Sequence, residues 1–380
     1  MEKKIVYTVL CVFCISALGG CAKYSSYSAH ASTDPLSTFT DDVATNCTHI
    51  DSVLNKHHNI DATVTGGDRK HLDSFTLAPL SISVDDALGV FAPEDTGTYS
   101  IQETEEGYRL ISEAGNRCYI SPYRIMFEKE EEIQKKKNNE IMKILEFYAQ
   151  ENPNASKTKL DFINQTDAVS IVEGLLNKLG INMKPILQTY AAMTNNDIMN
   201  YQQKLVQRDA ESEDKYYDPF GKAYLLNNLN QTNDACFISF TFAYEGIPIY
   251  HGTPSVSYIA GVVPPYPATL SVLISRQGLQ VFDGMGLYHV EKSDRSSDII
   301  TANIAADLYR QKYDLVIQPQ EEDMRVSSIY LEYIPIVGDM GTVLTPYWCF
   351  PIEVNYPSGW IEVSSERFNA FTGEDITYGG

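Results

Sequence analysis

The chain has 380 residues, enough for two or three domains that each bury a core of their own. It contains 29 Lys and Arg against 50 Asp and Glu, which gives a formal net charge of −21 at pH 7. A chain this acidic repels phosphate backbones and anionic lipid headgroups, so we expect no nucleic-acid partner.

The first 20 residues have the pattern of a secretory signal. Lys3 and Lys4 precede an apolar run, Ile5–Ala17, that is too short to span a bilayer. The run ends in Leu18-Gly19-Gly20 followed directly by Cys21, and this pattern resembles the lipobox of bacterial lipoproteins. The resemblance implies that residues 1–20 are removed and that the Cys21 thiol receives a diacylglyceryl group. An ordinary secretory signal with a chance cysteine is the alternative.

A lipid on Cys21 determines where the rest of the chain resides, because two acyl chains hold a protein at a membrane where one does not. Residues 21–44 are rich in Ser, Thr, Ala and Asp without apolar periodicity, which predicts a flexible tether. Loss of Glu2, Lys3 and Lys4 with the signal leaves 27 of the basic and 49 of the acidic side chains, a net charge of −22. We therefore expect a soluble body outside the cell membrane that contacts the membrane through its lipid alone.

Residues 45–152 predict a smaller β-rich N-terminal region that ends in a charged helix. Thr98–Glu103 and Gly107–Glu113 alternate in the manner of strands, and a Gly115-Asn116 turn precedes Arg117–Ile125. Met126–Asn152 follows as the helix, with a charged, water-facing first half and an apolar stripe in its second half.

Residues 166–290 predict the first of two similar units. Its first helix is Asp167–Leu179, with Thr166 as the capping residue, and Ile181–Ala210 is also predicted to be helical. The alternation of Ile238–Tyr244 predicts a strand with one buried face. Shorter strands complete the unit at Ile247–Tyr250, Thr269–Ile274 and Leu279–Phe282.

Residues 291–380 predict the second unit, which opens with a helix at Asp298–Tyr313. Its predicted strands are Val326–Pro335, Val343–Val354, Trp360–Ser365 and Phe368–Phe371. Each unit is then a helix laid on an antiparallel sheet, with apolar alternate residues facing the helix. The predicted fold class is therefore α+β, with tandem helix-on-antiparallel-sheet units preceded by the smaller N-terminal region.

The two units share a sequence pattern. Val272–Gly284 superposes on Ile361–Gly373 without a gap, at an offset of 89 residues. Over the 46 residue pairs that join 239–284 to 328–373, nine are identical. Ordinary residue frequencies predict roughly three identities, so the pattern indicates an internal duplication.

The end of the second unit carries a family resemblance. Asn369-Ala370-Phe371-Thr372-Gly373-Glu374 resembles the hairpin turn that ends PepSY-type repeats, and Leu344-x-Pro346-x-Trp348 resembles one of their strands. The first unit departs from this pattern, with Phe282-Asp283-Gly284 at the corresponding turn. The chain is thus similar to an uncharacterised family of Gram-positive lipoproteins with PepSY-like repeats and, in fold, to the YycH/YycI regulators of a membrane sensor kinase. The resemblance implies a structural turn at Thr372, Gly373 and Glu374, where Gly373 needs the positive φ that glycine adopts readily.

Residues that could carry out chemistry form no recognised set. The chain has no Gly-x-Ser-x-Gly elbow, no phosphate loop and no Cys-x-x-Cys outside the signal. His57-His58 with Asp51 and Asp61 could hold a metal ion, but a solvated surface is the favoured interpretation. His251 with Ser255 or Ser257 is the weak basis for a hydrolase. We therefore predict no catalytic residue, no metal site and no cofactor.

Besides Cys21, the mature chain keeps four cysteines, and it has many tyrosines. Cys47, Cys118, Cys236 and Cys349 allow three disulfide pairings, but small buried hydrophobes are favoured over bridges. The 25 tyrosines suit sugar or peptide stacking, although cross-strand packing is the commoner use.

Three functional hypotheses follow from these features. The first is a non-enzymatic, lipid-anchored extracytoplasmic protein that binds and regulates an envelope or signalling protein, since exposed sheet edges suit recognition. The second is a solute-binding lipoprotein for a cation, peptide or sugar. The third is an envelope hydrolase.

Overall fold

The computed structural model describes residues 47–91, 99–104, 107–113, 115–129, 132–152, 154–211, 234–250, 267–291, 296–314, 323–338, 341–359 and 361–375. Strands account for about 51% of the structure and helices for about 25%. The predicted α+β fold of tandem helix-on-sheet units is therefore wrong, because two large, mainly antiparallel sheets dominate the molecule.

The strands of the described residues are numbered in chain order. They are β1 His49–Asn55, β2 His58–Thr65, β3 His71–Asp73, β4 Phe75–Ala78, β5 Tyr99–Thr104, β6 Gly107–Ser112, β7 Arg117–Ser121, β8 Arg124–Glu128, β9 Lys184–Met193, β10 Ala235–Tyr244, β11 Ile247–Pro248, β12 Thr269–Ser275, β13 Gly278–Met285, β14 His289–Val290, β15 Ser296–Asp298, β16 Asp323–Gly338, β17 Gly341–Asn355 and β18 Ile361–Asn369. The α-helices are α1 Val84–Phe91, α2 Glu132–Glu151, α3 Gln165–Lys178, α4 Asn195–Glu211 and α5 Ala302–Asp314.

The seven-stranded sheet has the order β1-β2-β16-β17-β4-β14, and β18 also pairs with β17. Its centre is the long antiparallel pair of β16 and β17, which β18 continues on one side. On the other side β2 pairs with β16 in parallel, so strands from the start of the chain complete a sheet formed near its end.

The nine-stranded sheet has the order β11-β10-β12-β13-β8-β7-β6-β5, with β9 also paired to β10. One row of directly opposed side chains crosses eight of its strands and is buried except at the β5 end. The row consists of Ile101, Leu110, Cys118, Phe127, Phe282, Val272, Ile238 and Tyr190.

Both sheets contribute to one continuous apolar core. Ile60 and Trp348 from the seven-stranded sheet belong to the same cluster as Ile238 and Phe282 from the nine-stranded sheet. Helices α3 and α5 bury their apolar stripes in this cluster. Helices α2 and α4 instead cover the opposite face of the nine-stranded sheet, where they form a second, smaller cluster.

This layering explains why the predicted tandem units do not form. The strands of the predicted N-terminal region are divided between the sheets: β2 pairs with β16, and β8 pairs with β13. Strand β10, predicted to bury one face, buries both, because Ile238 faces the large core and Phe237 faces α2 and α4. Each sheet therefore depends on strands distant in sequence.

The predicted repeat also differs in local structure between its two copies. Val272–Ser275 and Gly278–Gly284 belong to the two strands of a hairpin, whereas the corresponding second-copy residues, Ile361–Ser364 and Arg367–Gly373, lie in one continuous strand, β18, and its closing turn. The prediction of two short strands at 360–371 is wrong at this point, and Trp360 lies outside the described residues.

Three further boundaries differ from the sequence predictions. Met126–Glu128 belongs to β8 and not to the following helix, and Lys184–Met193 is strand β9 and not part of a helix. Helix α3 is capped by Asn164 instead of Thr166: the Asn164 side chain accepts from the Asp167 amide at 3.1 Å, and the Asp167 carboxylate accepts from the Asn164 amide at 3.3 Å. This reciprocal pair is a capping box.

Phe282→Ala should lower the free energy of unfolding by about 3–5 kcal/mol, because it leaves a cavity beneath Phe91 in the middle of the row. Ile101→Ala, at the exposed end of the same row, should cost less than about 1 kcal/mol. Urea unfolding of the two variants measures this difference. Equal losses of unfolding free energy in the two variants would contradict a core that includes Phe282 and ends before Ile101.

Candidate functional site

The outer face of the seven-stranded sheet, turned away from the large core, is divided into an open and a covered half. In the open half, one row of opposed residues crosses five strands, and all five side chains are exposed. The row consists of Val53, Asn59, Arg325, Glu353 and Val363. The valines at its two ends are the most exposed large apolar residues described, at 74% and 71%.

Charged residues occupy the middle of the open half. The Asp61 carboxylate lies 3.4 Å from both the His49 ring and the Arg325 guanidinium. All three side chains are about half exposed, and ion pairs in that setting contribute little to stability. This part of the face therefore remains available to a partner.

The first half of strand β18 is exposed to solvent. Ile361, Glu362, Val363 and Ser364 are all exposed, so this stretch lies beyond the core on both of its faces. Ile361 is 56% and Val363 71% exposed, and the two share the outer face. Among the described residues, β17 is the only strand that β18 pairs with. We call the backbone of Ile361–Arg367 on the side away from β17, with the Ile361 and Val363 side chains, the β18 edge.

The covered half of the outer face includes the second half of β18, where Arg367 is buried. Arg367 Nε donates to Glu332 Oε2 at 3.1 Å, and these side chains are only 9% and 2% exposed. The Arg367 guanidinium also lies 4.6 Å from the centre of the Tyr250 ring. Removing one member of a buried ion pair leaves an uncompensated charge, so this pair fixes the position of β18 relative to β16.

The predicted structural turn lies directly after β18. The Asn369 side chain accepts from the Phe371 amide at 2.8 Å and the Thr372 amide at 3.2 Å, and the Glu374 carbonyl accepts from the Asn369 amide at 2.7 Å. Gly373 has a φ of +72°, the value expected from the sequence. Thr372 and Glu374 complete the turn through their own hydrogen bonds. Its role is structural, because the Ala370 carbonyl also accepts from the Ile300 amide just before α5.

Helix α5 is fastened to β18 by a polar cluster. Lys312 Nζ lies 2.6 Å from Glu366 Oε2 and 2.8 Å from Asp375 Oδ2, and the Tyr313 hydroxyl donates to Glu366 at 2.9 Å. These contacts hold β18 from the core side, opposite the Arg367 pair. The open first half of β18 is thus the extension of a fixed second half.

His58 lies deep within this packing. It is 1% exposed, its Nε2 is 2.7 Å from the Tyr309 hydroxyl, and its ring meets those of Tyr309 and Tyr313 edge-on. The interpretation of His57-His58 as solvated surface is therefore wrong for His58. Burial lowers the pKa of His58 from 6.5 to about 4. His57 remains nearer the surface, 2.8 Å from Asp323.

The other sequence candidates fall into two groups. Leu18, Gly19, Gly20 and Cys21, as well as His251, Ser255 and Ser257, lie outside the described residues. In the part of the chain that the structure describes, no group of three His, Cys, Asp or Glu side chains could hold a metal ion, and no helix is long and apolar enough to cross a membrane.

The four later cysteines are free thiols. Cys118, Cys236 and Cys349 are buried, as the sequence analysis favoured, while Cys47 is half-buried. Burial raises the pKa of each of the three buried thiols to about 12. They remain protonated at neutral pH and are unsuited to nucleophilic chemistry.

Sequence reasoning missed the β18 edge and the Arg367–Glu332 pair. Ile361 and Val363 alternate with polar residues, and that pattern predicts an apolar face turned to a core. The pattern contains no signal that this face is turned to water. The buried ion pair joins strands whose register the sequence does not determine.

Comparisons with known proteins support the fold alone. No protein-family model and no curated protein matches the chain. A crystal structure of an uncharacterized protein from Eubacterium rectale ATCC 33656 is similar, with a TM-score of 0.54 and 13% sequence identity. The match covers 87% of this chain and 93% of that chain. At this identity the similarity extends to the arrangement of the strands and helices and not to an activity.

The burial of His58 predicts a loss of stability in acid. Between pH 6.5 and about 4 the unfolded chain binds a proton at His58 and the folded chain does not, so stability falls as pH falls through this window. The loss should reach about 3 kcal/mol at the acid end. Urea unfolding of the wild type and of His58→Gln from pH 7 to pH 4 isolates this contribution. Parallel pH profiles for the two proteins would contradict it.

Proposed function

We propose that this protein is a lipid-anchored lipoprotein of the cell envelope that binds another protein through the β18 edge, without catalysis. The anchor is proposed from the Leu18–Cys21 sequence and places the body outside the membrane. The observation that carries the binding function is the pair of exposed side chains, Ile361 and Val363, beside a strand edge that no other described strand covers.

Single exposed apolar side chains are common on protein surfaces, but Ile361 and Val363 lie together beside an open sheet edge. Natural proteins protect sheet edges with bulges, prolines or short strands, because an open edge pairs with other chains. The register of β18 with β17 runs from Ile361 to Asn369 without a bulge, and the stretch contains no proline. A regular edge with two exposed apolar side chains is suited to a protein partner.

The other exposed strands of the two sheets favour this role less. Strand β5 is exposed from Ser100 to Thr104 but presents only one apolar side chain there, Ile101. Strand β1 presents Val53 alone, and its Ile50 is buried in the core. These strands therefore serve as internal comparisons for β18.

Capture of a protein from solubilised membranes tests the proposal. The full-length, lipidated chain should retain a stoichiometric envelope protein. Val363→Ser should reduce the retained amount about tenfold, the loss expected when a valine that the partner covers becomes polar. Val53→Ser is the matched control, because it changes the same residue type at nearly the same exposure on the opposite edge of the sheet.

The control should retain the partner as the wild type does. Equal capture by Val363→Ser and the wild type, with both variants folded by circular dichroism, would contradict binding at the β18 edge. Failure of the wild type to retain any protein across several detergents would contradict the binding function itself.

Binding of a small solute is a second candidate, favoured by one cavity. A partly open cavity of about 260 Å³ lies where α3 ends and β9 begins, lined by Glu173, Leu176, Asn177, Ile181, Asn182, Met183, Lys184 and Pro185. Asn182 fixes one wall, since its amide donates to the Val290 carbonyl at 2.7 Å and accepts from the Val290 amide at 2.9 Å. Ligand pockets usually exceed about 300 Å³, so the cavity suits only a small solute.

Thermal unfolding with a panel of cations, short peptides and sugars tests this second function. A true solute at 100 times its dissociation constant should stabilise the protein by about 2.7 kcal/mol. Asn177→Trp should abolish the shift by filling the cavity, while Lys178→Trp, at the next exposed position and outside the lining, should preserve it. A panel without any shift, or a shift that survives Asn177→Trp, would exclude this cavity as a solute site.

A further inference from the structure

The geometry of the β18 edge points to the class of partner it takes. We propose that the partner contributes an extended segment that adds to β18 as a further strand, with apolar residues on one face and basic residues on the other. This inference rests on the proposed function and specifies the chemistry of its ligand.

The backbone of β18 offers hydrogen-bonding groups to such a segment at alternate residues. The Ala370 amide donates to Pro346 of β17, whereas the Asn369 amide donates to Glu374 on the opposite side. Because successive residues of a regular strand direct their amides and carbonyls to opposite sides, those of Ile361, Val363 and Ser365 point away from β17. In the described part of the chain, none of these three residues is paired with a strand on that side.

The chain itself shows that this side of β18 accepts strand pairing. After the closing turn, Asp375 forms an antiparallel bridge with Phe368 on the side away from β17. The bridge occupies one end of the edge. The positions from Ser365 back to Ile361 continue the same line of donors and acceptors and lie at the exposed end of the strand.

The two faces of the edge select different side chains. Ile361 and Val363 lie on the outer face, so an added strand gains most from apolar side chains there. On the other face Glu362 is exposed, its carboxylate accepting from the Tyr356 hydroxyl at 2.8 Å, and Glu366 lies further along the same face. The Glu366 side chain is 19% exposed and already contacts Lys312, whereas Glu362 is exposed and contacts a neutral hydroxyl, so Glu362 is the carboxylate that a basic side chain would meet.

The charge of the whole chain supports the same choice. With a formal net charge of −21, the protein attracts a basic segment and repels an acidic one before contact. A segment that alternates apolar and basic residues matches both faces of β18 at once. A membrane surface or a folded acidic domain matches neither.

A synthetic probe tests this chemistry without knowledge of the natural partner. The probe is a capped, fluorescent peptide of about seven residues that alternates valine and lysine, the length of Ile361–Arg367. Its first control carries N-methyl groups on alternate amides and cannot pair as a strand; its second alternates valine and glutamate. Fluorescence anisotropy with the full-length lipidated chain in non-ionic detergent measures the dissociation constants.

We expect the valine–lysine probe to bind and each control peptide to bind at least about tenfold more weakly. Val363→Pro removes an outward amide without removing a bond to β17, so it should weaken probe binding about tenfold while thermal unfolding stays unchanged. Ser365→Pro tests the next outward amide in case the first variant is unstable. Glu362→Lys should reverse the preference towards the valine–glutamate peptide, and Val53→Ser should leave binding unchanged.

Each other outcome overturns the inference in a distinguishable way. Equal binding of the N-methylated peptide, or full binding to both proline variants, excludes strand addition. A captured envelope protein that depends on Val363, with no binding of the probe, overturns this ligand class but leaves the proposed function standing. Probe binding without any captured partner overturns the proposed function instead.

Two further experiments distinguish the proposed partner from two other possible occupants of the β18 edge, the chain's own C-terminal residues and a second copy of the chain. If the probe binds only to a variant that ends at Asp375, the chain's own residues 376–380 are the occupant and the inference fails. If the wild type forms a dimer by analytical ultracentrifugation and Val363→Pro abolishes it, the occupant is a second copy, and the inference fails as well.

Discussion

Tyr333 joins the two large sheets, and the rest of the architecture depends on this contact. Its backbone carbonyl accepts from the Tyr250 amide at 2.8 Å, and it forms a parallel bridge with Ile249, which directly follows β11 of the nine-stranded sheet. Its ring is fully buried against Phe75, which also meets Tyr244 of β10 edge-on. Its hydroxyl donates to the Asp73 carbonyl at 3.1 Å. Because one residue satisfies backbone, ring and hydroxyl contacts together, the sheets have one relative arrangement and share one core.

The shared core determines which part of β18 is left open. Phe368 and Trp348 lie side by side in the core, and the buried Arg367–Glu332 pair fixes the strand on its other face. From Ser364 back to Ile361 the strand extends past this support while it stays paired with β17. The exposed edge is therefore an extension of a rigid element, which reduces the conformational entropy that β18 itself loses on binding.

The sequence predicts elements whose signal is local. The alternation in β10, β16 and β17 places those strands correctly, the apolar stripe places α3, and Gly373 has the positive φ that its turn requires. Prediction from the sequence fails where pairing or packing with distant elements determines the local structure or burial of a residue. Lys184–Met193 is a strand because β10 offers it a partner, and His58 is buried because α5 covers it with Tyr309 and Tyr313.

The sequence does not predict the fold class or the candidate site, and the reason is the same for both. The helix-on-sheet prediction treats each unit as complete, but β2 and β8 reach across from the start of the chain to finish both sheets. Ile361 and Val363 have the composition of a buried strand face, and only the position of the core shows that they face water. Local patterns specify elements, whereas pairing over long separations specifies which faces remain exposed.

Residue-resolved hydrogen exchange of the β18 amides, with and without the bound partner, tests the central claim most directly. In the free protein the amides of Glu362 and Ser364, which face β17, should exchange slowly, while those of Val363 and Ser365 should exchange quickly. Binding should protect Val363 and Ser365 and leave the exposed strand β5 unchanged. A partner that binds while the Val363 and Ser365 amides continue to exchange at the rate of the free protein would contradict the account.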